Sequence, residues 1–421
     1  MLVNKKMSND NSVILLERKS ENMVKDLITG KLNFPLSYRL GIILRSLIIK
    51  LKYIYKSFLI EKFYPFDSSL KEYLKYKADI IHFHDGQANS YDVKTLKKLS
   101  QLTTVVFSLH DLWLFTGHCG VPLDCDKFKT LCGDCPDLLL PPKIHYDNTR
   151  LAVKYKHDKI IQSDINFLAH SNWVKNKIDN LEHFKNKIKF DFIQYSIDIE
   201  KFKPRNKEKI REKYTLSKNS YIIMTNAVGI SSNPYKDFNT LEKAFQILTK
   251  EFGKDIFIII VGEKDIKFKK NSNKENFLFF NPDPQSDLLI DLYAISDLYV
   301  HSSNIETWGL AISEALSCGI PVIASSVGAI SEQVYGLDRK HSNDKLNKFT
   351  IEDANGFLFE RKNTLMLFEI IKWIILNEAT RHQLSKNARK YAVKRLNMNK
   401  DINLYTNYYE KILKNKNILK S

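Results

Sequence analysis

No stretch of the 421-residue chain reaches the ~18 consecutive apolar residues that a bilayer-spanning helix needs. Glycine and proline are sparse, at 14 and 11 residues, and no low-complexity tract or solenoid-type repeat is present. With 43% hydrophobic and 27% charged residues, wholesale disorder and a collagen-like chain are excluded. Cysteine is scarce: 5 residues, far from a disulfide-dense scaffold, and four of them crowd between Cys119 and Cys135. A secretory leader is not visible, since Met1-Leu2-Val3 runs straight into Asn4-Lys5-Lys6, and the expected address is the cytoplasm. Acidic residues are in deficit, 48 against 65 basic ones, for a net charge of +17. That excess suits a polyanionic partner, whether nucleic acid, an anionic membrane face or a phosphorylated ligand, and does not choose among them.

The length predicts two or three domains. Short apolar runs without alternation read as strands covered on both faces: Ile80–His84, Thr104–Leu109, Ile165–Ala169, Ile188–Gln194, Tyr221–Val228, Ile256–Val261, Leu298–His301 and Pro321–Ala324. Helical patterns such as Leu241, Ala244, Phe245 and Leu248 lie between them. This alternation predicts α/β, doubly wound domains. The strands fall into two groups, and the aperiodic stretch from Ile197 to Pro204 marks a boundary near residue 200. The expected division is therefore 1–200, 201–380 and a polar helical tail over 381–421 that packs back on the first domain.

One segment carries its own pattern. Arg39, Arg45, Lys50, Lys52 and Lys56 occur between 39 and 60 with no acidic residue, and Leu40, Leu44, Leu47, Leu51, Ile54 and Phe58 form one apolar helical face. Two readings stand: a packed surface helix with a solvated basic rim, or a basic amphipathic helix on an anionic membrane.

The most informative stretch runs from Asp297 to Ser325. An apolar strand leads into a loop holding Glu306 and Gly309; a helix carrying Glu314 follows; Gly319 ends it and Pro321 opens a new strand. A loop between a parallel strand and a helix N-terminus is where doubly wound folds bind phosphates, through amides such as those of Gly309 and Leu310. Glu306 and Glu314, eight residues apart, reach opposite ends of one ligand.

Glu306 and Glu314 with seven residues between them, preceded by Tyr293-Ala294-Ile295-Ser296-Asp297 and followed by Cys318-Gly319-Ile320-Pro321-Val322-Ile323-Ala324-Ser325, resemble the Glu-x7-Glu signature of retaining family 4 glycosyltransferases. The resemblance covers about residues 78–380. It implies the GT-B fold, two Rossmann-like domains facing each other across a cleft. It further implies a nucleotide-sugar donor, UDP- or GDP-linked, and no catalytic metal. Glu306 would lie near the donor sugar and Glu314 would hold the ribose hydroxyls. In Pro234-Tyr235-Lys236-Asp237-Phe238, Lys236 matches the family's lysine and would neutralise the donor diphosphate. The chain departs from the pattern twice: Asp237 stands where the family has glycine, and Gly229-Ile230-Ser231-Ser232-Asn233 lacks the family's arginine. Glu332, in the Val327–Glu332 loop, would sit near the base or the helix start.

Thr104–Leu109 ends in His110-Asp111, and a histidine at the carboxyl end of a buried strand faces the crevice of such a fold. In the family this position contacts the donor sugar or supports the reacting centre. The continuation Leu112-Trp113-Leu114-Phe115-Thr116-Gly117-His118-Cys119 resembles colanic-acid and capsule-type enzymes. His82 and His84, flanking Phe83 at another strand end, read as structural or, at most, cleft-lining. Cys119, Cys125, Cys132 and Cys135 are spaced x5, x6 and x2; the last pair suits two thiolates on one zinc, while reduced buried thiols and local disulfides stay open. Any such zinc would be structural, because four thiolates leave no open coordination position. Asp124-Cys125-Asp126 mimics an Asp-x-Asp metal clamp but sits inside the cysteine cluster rather than at a strand end.

Family members open with a strand, a Gly-rich turn and a helix. That unit is not seen here, and the expectation is an N-terminus shortened relative to the family. The expected function is hexosyl transfer from a nucleotide sugar to a growing, lipid-linked glycan in surface-polysaccharide synthesis, at the inner face of the plasma membrane. The alternative is a non-catalytic GT-B homologue acting as a binding or scaffold subunit. A nucleic-acid partner rests on the charge alone and is not expected.

Overall fold

The computed structural model describes residues 3–6, 12–16, 78–84, 93–214, 216–217, 220–262, 274–281, 287–338 and 346–418. The basic segment 39–60 lies outside the described residues. Among the described residues, no helix is long and apolar enough to cross a membrane. The chain divides into two compact units, 1–194 together with 403–421, and 195–402.

The first unit is built on a six-stranded sheet in the order β1 (Val3–Lys6), β2 (Ser12–Leu16), β3 (Ile80–His84), β4 (Thr104–Leu109), β5 (Ile165–Ala169) and β6 (Lys189–Phe192). Only the β1–β2 pair is antiparallel; β2 to β6 run parallel. The helices α1 (Val93–Leu102), α2 (Thr149–Ile161) and α3 (Asn172–Asp179) follow β3, β4 and β5 in turn. Ile81, Phe83, Val105, Phe107 and Phe167 are buried with Leu96 and Leu99 of α1 in one core. A second core, Ile80, Val106, Leu168 and Ile193, packs against Tyr408, Tyr409 and Ile412. Adjacent strand residues thus enter opposite cores, which is why these strands read as unbroken apolar runs. The fully buried aromatic and aliphatic side chains contribute roughly 1.5–3 kcal/mol each.

The second unit contains α4 (Lys207–Lys213), β7 (Tyr221–Asn226), α5 (Phe238–Phe252), β8 (Ile256–Val261), β9 (Phe277–Phe280), α6 (Asp287–Ile295), β10 (Leu298–His301), α7 (Leu310–Ser317), β11 (Val322–Ser325), α8 (Ile330–Gln333), β12 (Gly356–Phe359), α9 (Thr364–Leu376) and α10 (Glu378–Arg395). The helix α11 (Met398–Ile418) starts here, and its residues from Asn403 on belong to the first unit. The sheet is wholly parallel in the order β12-β11-β10-β7-β8-β9. Leu241, Ala244, Phe245 and Leu248 of α5 are all buried against it. From β7 the chain winds outward through β8 and β9, then returns to place β10 on the other side of β7. The strand order therefore reverses between β7 and β10, and ligands of open α/β sheets bind outside the carboxyl ends of the strands at such a switch point.

Asp297 fixes the amino end of this sheet. Its carboxylate accepts from Ile222 N at 2.8 Å and Arg211 Nη2 at 2.7 Å, and also pairs with Lys207.

Candidate functional site

The carboxyl ends of β7 and β10 carry the second unit's polar cluster. Asp237 Oδ1 accepts from Thr240 N at 3.2 Å and so caps α5. The aspartate that departs from the family's glycine thus has a local role: it starts the helix and fixes Lys236 just before it. An isolated antiparallel bridge joins Lys236 to Ser303. Asn304 ties down the same turn, donating from Nδ2 to Pro234 O at 3.1 Å and to Lys236 O at 3.2 Å. Lys236 Nζ donates to Glu306 Oε2 at 2.6 Å, Ser303 Oγ at 3.3 Å and His301 Nε2 at 3.4 Å. Three donors meet three acceptors. Both members of the Lys236–Glu306 pair are 15% exposed. Burial alone would raise the Glu306 pKa, but the Lys236 ammonium overcomes it and holds the carboxyl at about 2. His301 lies 3.2 Å from the same oxygen and is pushed down by burial and by Lys236.

Gly328 secures Glu306 from the other side. Its φ is +58°, and a Cβ there would come 1.9 Å from Glu306 O. Ala329 N donates to that same oxygen at 2.9 Å. The loop after β11 therefore packs on the Glu306 backbone as closely as a glycine allows.

Glu314, on α7, accepts from Tyr293 Oη at 2.7 Å. Burial raises its pKa, with the tyrosine hydrogen bond opposing. No side chain caps the start of α7. Gly309 N donates to Gln333 Oε1 at 3.0 Å, while Gln333 Nε2 donates to Gly309 O and Ser313 Oγ. A Cβ on Gly309 would meet Ile312 Cδ1 at 2.8 Å, so a larger residue there would have to push that side chain aside. Leu310, beside it, is 49% exposed. Glu332 lies on α8, and its carbonyl accepts from Tyr391 Oη at 3.0 Å; its neighbour Gln333 is the residue that reaches Gly309.

Several residues of this cluster were not picked out from sequence: Asn226, Tyr299, His301, Ser303 and Gln333. Asn226 gave a signal in retrospect, a polar residue closing an apolar strand.

In the first unit the parallel register brings His84, Ser108 and His110 to one edge, with His170 directly after β5. His170 Nδ1 lies 2.7 Å from Ile193 O, which can only accept. Nε2 of His170 must then accept from Ser108 Oγ at 2.8 Å, and Ser108 accepts from His82 Nε2 at 2.8 Å. Tyr409 Oη is left to donate to His82 Nδ1 at 2.7 Å. His84 Nδ1 meets His110 Nε2 at 3.1 Å. Burial first, then the neighbouring His170 and His84, lower the His110 pKa to about 3, so it is a neutral imidazole at pH 7.

Cys119, Cys125, Cys132 and Cys135 are free and line one small cavity with His118. Backbone with positive φ at Leu131, Cys132, Gly133 and Asp134 folds this loop inward. Asp147 holds it, accepting from Cys135 N at 2.6 Å and Thr149 N at 3.0 Å. Burial pushes the Cys119 thiol up to about 12 and raises Cys132 and Cys135. Among the described residues, no three His, Cys, Asp or Glu side chains are arranged as a metal-holding group. The four thiols share a cavity but do not form a ligand set.

Two α/β units on parallel or mostly parallel sheets are the GT-B architecture, and the chain is similar to solved structures of that fold. A glycosyltransferase from Rickettsia africae ESF-5 matches with TM-score 0.55 and 22% identity, covering 82% of this chain and 80% of that one. Anabaena HepE in complex with UDP matches with TM-score 0.56 and 18% identity, covering 81% and 82%. Residues 206–391, within the second unit, match the family model Glycosyl transferases group 1. Among curated proteins, N-acetyl-alpha-D-glucosaminyl L-malate synthase of Bacillus anthracis is 24% identical over 228 residues, 52% of this chain and 54% of that protein. O-antigen chain mannosyltransferase B of Escherichia coli is 30% identical over 132 residues, 30% of this chain and 33% of that protein. The chain thus spans about half or less of the length of these two relatives.

Proposed function

We propose that the chain is a glycosyltransferase of the retaining, family 4 type that moves a hexose from a nucleotide sugar to a glycan acceptor. The observation that carries this reading is the placement of Lys236, Glu306 and Glu314 at the switch point of the sheet, inside the stretch that matches the glycosyl transferases group 1 model. Breaking the bond from sugar to diphosphate separates charge, and preorganised donors stabilise the leaving group. Lys236 would exchange Glu306 for phosphate oxygens. Glu306, then released, would face the developing positive charge on the sugar, and Glu314 would take the ribose hydroxyls. Leu310 N, at the uncapped start of α7, is an amide of the kind that binds phosphate. His110, as a neutral imidazole, would contact the sugar hydroxyls, and Glu332 would lie near the base. The solved complex of HepE with UDP supports a uridine nucleotide, with GDP as the other candidate.

The mannosyltransferase relative acts on O-antigen chains by its name, which supports a surface-polysaccharide acceptor, lipid-linked, of the colanic-acid and capsule type. Contact with the inner face of the membrane through 39–60 belongs to the same reading. Release of nucleoside diphosphate from nucleotide sugars tests the activity itself. Glu306→Ala should lower turnover at least about tenfold, or ~1.4 kcal/mol. Near wild-type turnover in that variant would break the assignment, and nucleotide binding without turnover in the wild type would identify a binding subunit.

A further inference from the structure

The two carboxylates of the second unit are joined by side chains that sequence spacing does not connect. Tyr293 donates to Glu314 Oε2 at 2.7 Å, with Ala311 O a longer alternative at 3.4 Å. Asn226 Nδ2 donates to Tyr293 Oη at 3.0 Å. Tyr299 Oη donates to Asn226 Oδ1 at 2.5 Å. His301 Nδ1 lies 3.2 Å from Tyr299 Oη. His301 Nε2 then meets Ser303, Lys236 and Glu306.

Proton accounting gives the chain a direction. An ionised Glu314 only accepts, so Tyr293 supplies the proton between them. The Tyr293 oxygen must then accept, which turns the amide NH2 of Asn226 toward it and the Asn226 carbonyl toward Tyr299. Tyr299 uses its single proton on that carbonyl and can only accept from His301. The ring proton of His301 is therefore on Nδ1, and Nε2 presents a lone pair. That lone pair and the Glu306 carboxylate sit 3.2 Å apart because Lys236 donates to both. Tyr293 and Tyr299 are fully buried and His301 nearly so, so water does not compete inside the chain.

We propose that His301, Tyr299, Asn226 and Tyr293 are positioning residues, a one-directional hydrogen-bond relay across the switch point that orients Glu306 and Glu314 together. This deepens the proposed function and rests on it for its consequence: a change at one carboxylate is felt at the other through buried groups that touch no ligand.

Tyr299→Phe cuts the relay while touching neither carboxylate. The expected result is a kcat lower by about fivefold and a nucleoside diphosphate affinity weaker by about threefold, each within the effect of one lost hydrogen bond. Tyr293→Phe should act similarly, and the double variant should be no worse than the poorer single one, because the chain is already open. Thermal melts confirm folding of each variant. Should Tyr299→Phe fail to fold, Tyr293→Phe and the spectroscopic readout carry the test. That readout is the nitrogen chemical shifts of histidine-labelled full-length protein, which need no turnover. His301 in the Nδ1–H form supports the relay; an Nε2–H form, or Tyr299→Phe within twofold of wild type in both kcat and affinity, overturns it. A wild type that binds and turns over no nucleotide sugar, with His301 in the Nδ1–H form, would sink the proposed function and leave the relay standing.

Discussion

Replacing Lys236 by methionine isolates the buried ion pair at the centre of the second unit. In the wild type Glu306 is held at about 2, against an ordinary value of 4.5. A depressed carboxyl contributes stability that is fully present above its unfolded pKa and lost as pH falls through the folded one. The window is therefore about pH 4.5 down to about 2. At ~1.36 kcal/mol per unit, the shift corresponds to ~3 kcal/mol at neutral pH. Without Lys236, burial dominates and raises the Glu306 pKa, so the sign reverses: Lys236→Met should recover part of its loss as pH falls and Glu306 takes up a proton. For a unit of this size, ~3 kcal/mol corresponds to roughly 6–12 °C in Tm. Glu306→Gln and the double variant complete a cycle, and the double variant should be more stable than Lys236→Met, because a lone buried charge costs more than none. Denaturation of all four proteins from pH 3 to 8 decides the matter. A Lys236→Met deficit that does not change with pH, or strictly additive losses, would refute the reasoning.

Gly328→Ala places a Cβ 1.9 Å from Glu306 O at a φ of +58°. It should destabilise the second unit by about 2 kcal/mol or more, on both steric and backbone grounds, and impair any Glu306-dependent turnover; an unchanged melt would mean that the loop yields freely. Tyr409→Phe removes the donor to His82 Nδ1 and should cost about 1 kcal/mol, read as faster hydrogen exchange in the later part of α11; unchanged exchange would show that packing of Tyr408 and Ile412 alone holds that segment.

Much of the second unit was legible because parallel strands covered on both faces declare themselves as short apolar runs. Ile256–Val261 and Leu298–His301 are strands over those same bounds. The α/β reading and the two-sheet plan follow from such runs. The short strands β9 and β12 escaped notice, β12 because four residues opening on Gly356 carry almost no pattern. Glu306 and Glu314 stood out as charges in a strand–loop–helix turn, and Lys236 through the family resemblance of Pro234–Phe238. Their supporting residues did not, because support depends on which strands become neighbours. Asn226 and Tyr293 are 67 residues apart and meet only once β10 has returned beside β7. Within the sequence, Tyr299 and His301 look like ordinary strand residues. Asp237 looked like the loss of a glycine and proved to be a helix cap. The cysteine spacing suggested zinc, yet the side chains share a cavity without converging as ligands.

The central claim is that the second unit binds the nucleotide half of a donor through Glu314. A thermal-shift panel of UDP, GDP, ADP and their sugar conjugates, on wild type and Glu314→Ala, tests it most directly. The account predicts a base-specific rise in Tm, about 2.7 kcal/mol of stabilisation at a hundredfold excess over Kd, that Glu314→Ala abolishes. No rise with any nucleotide in well-folded protein, or a rise that survives unchanged in Glu314→Ala, would contradict it.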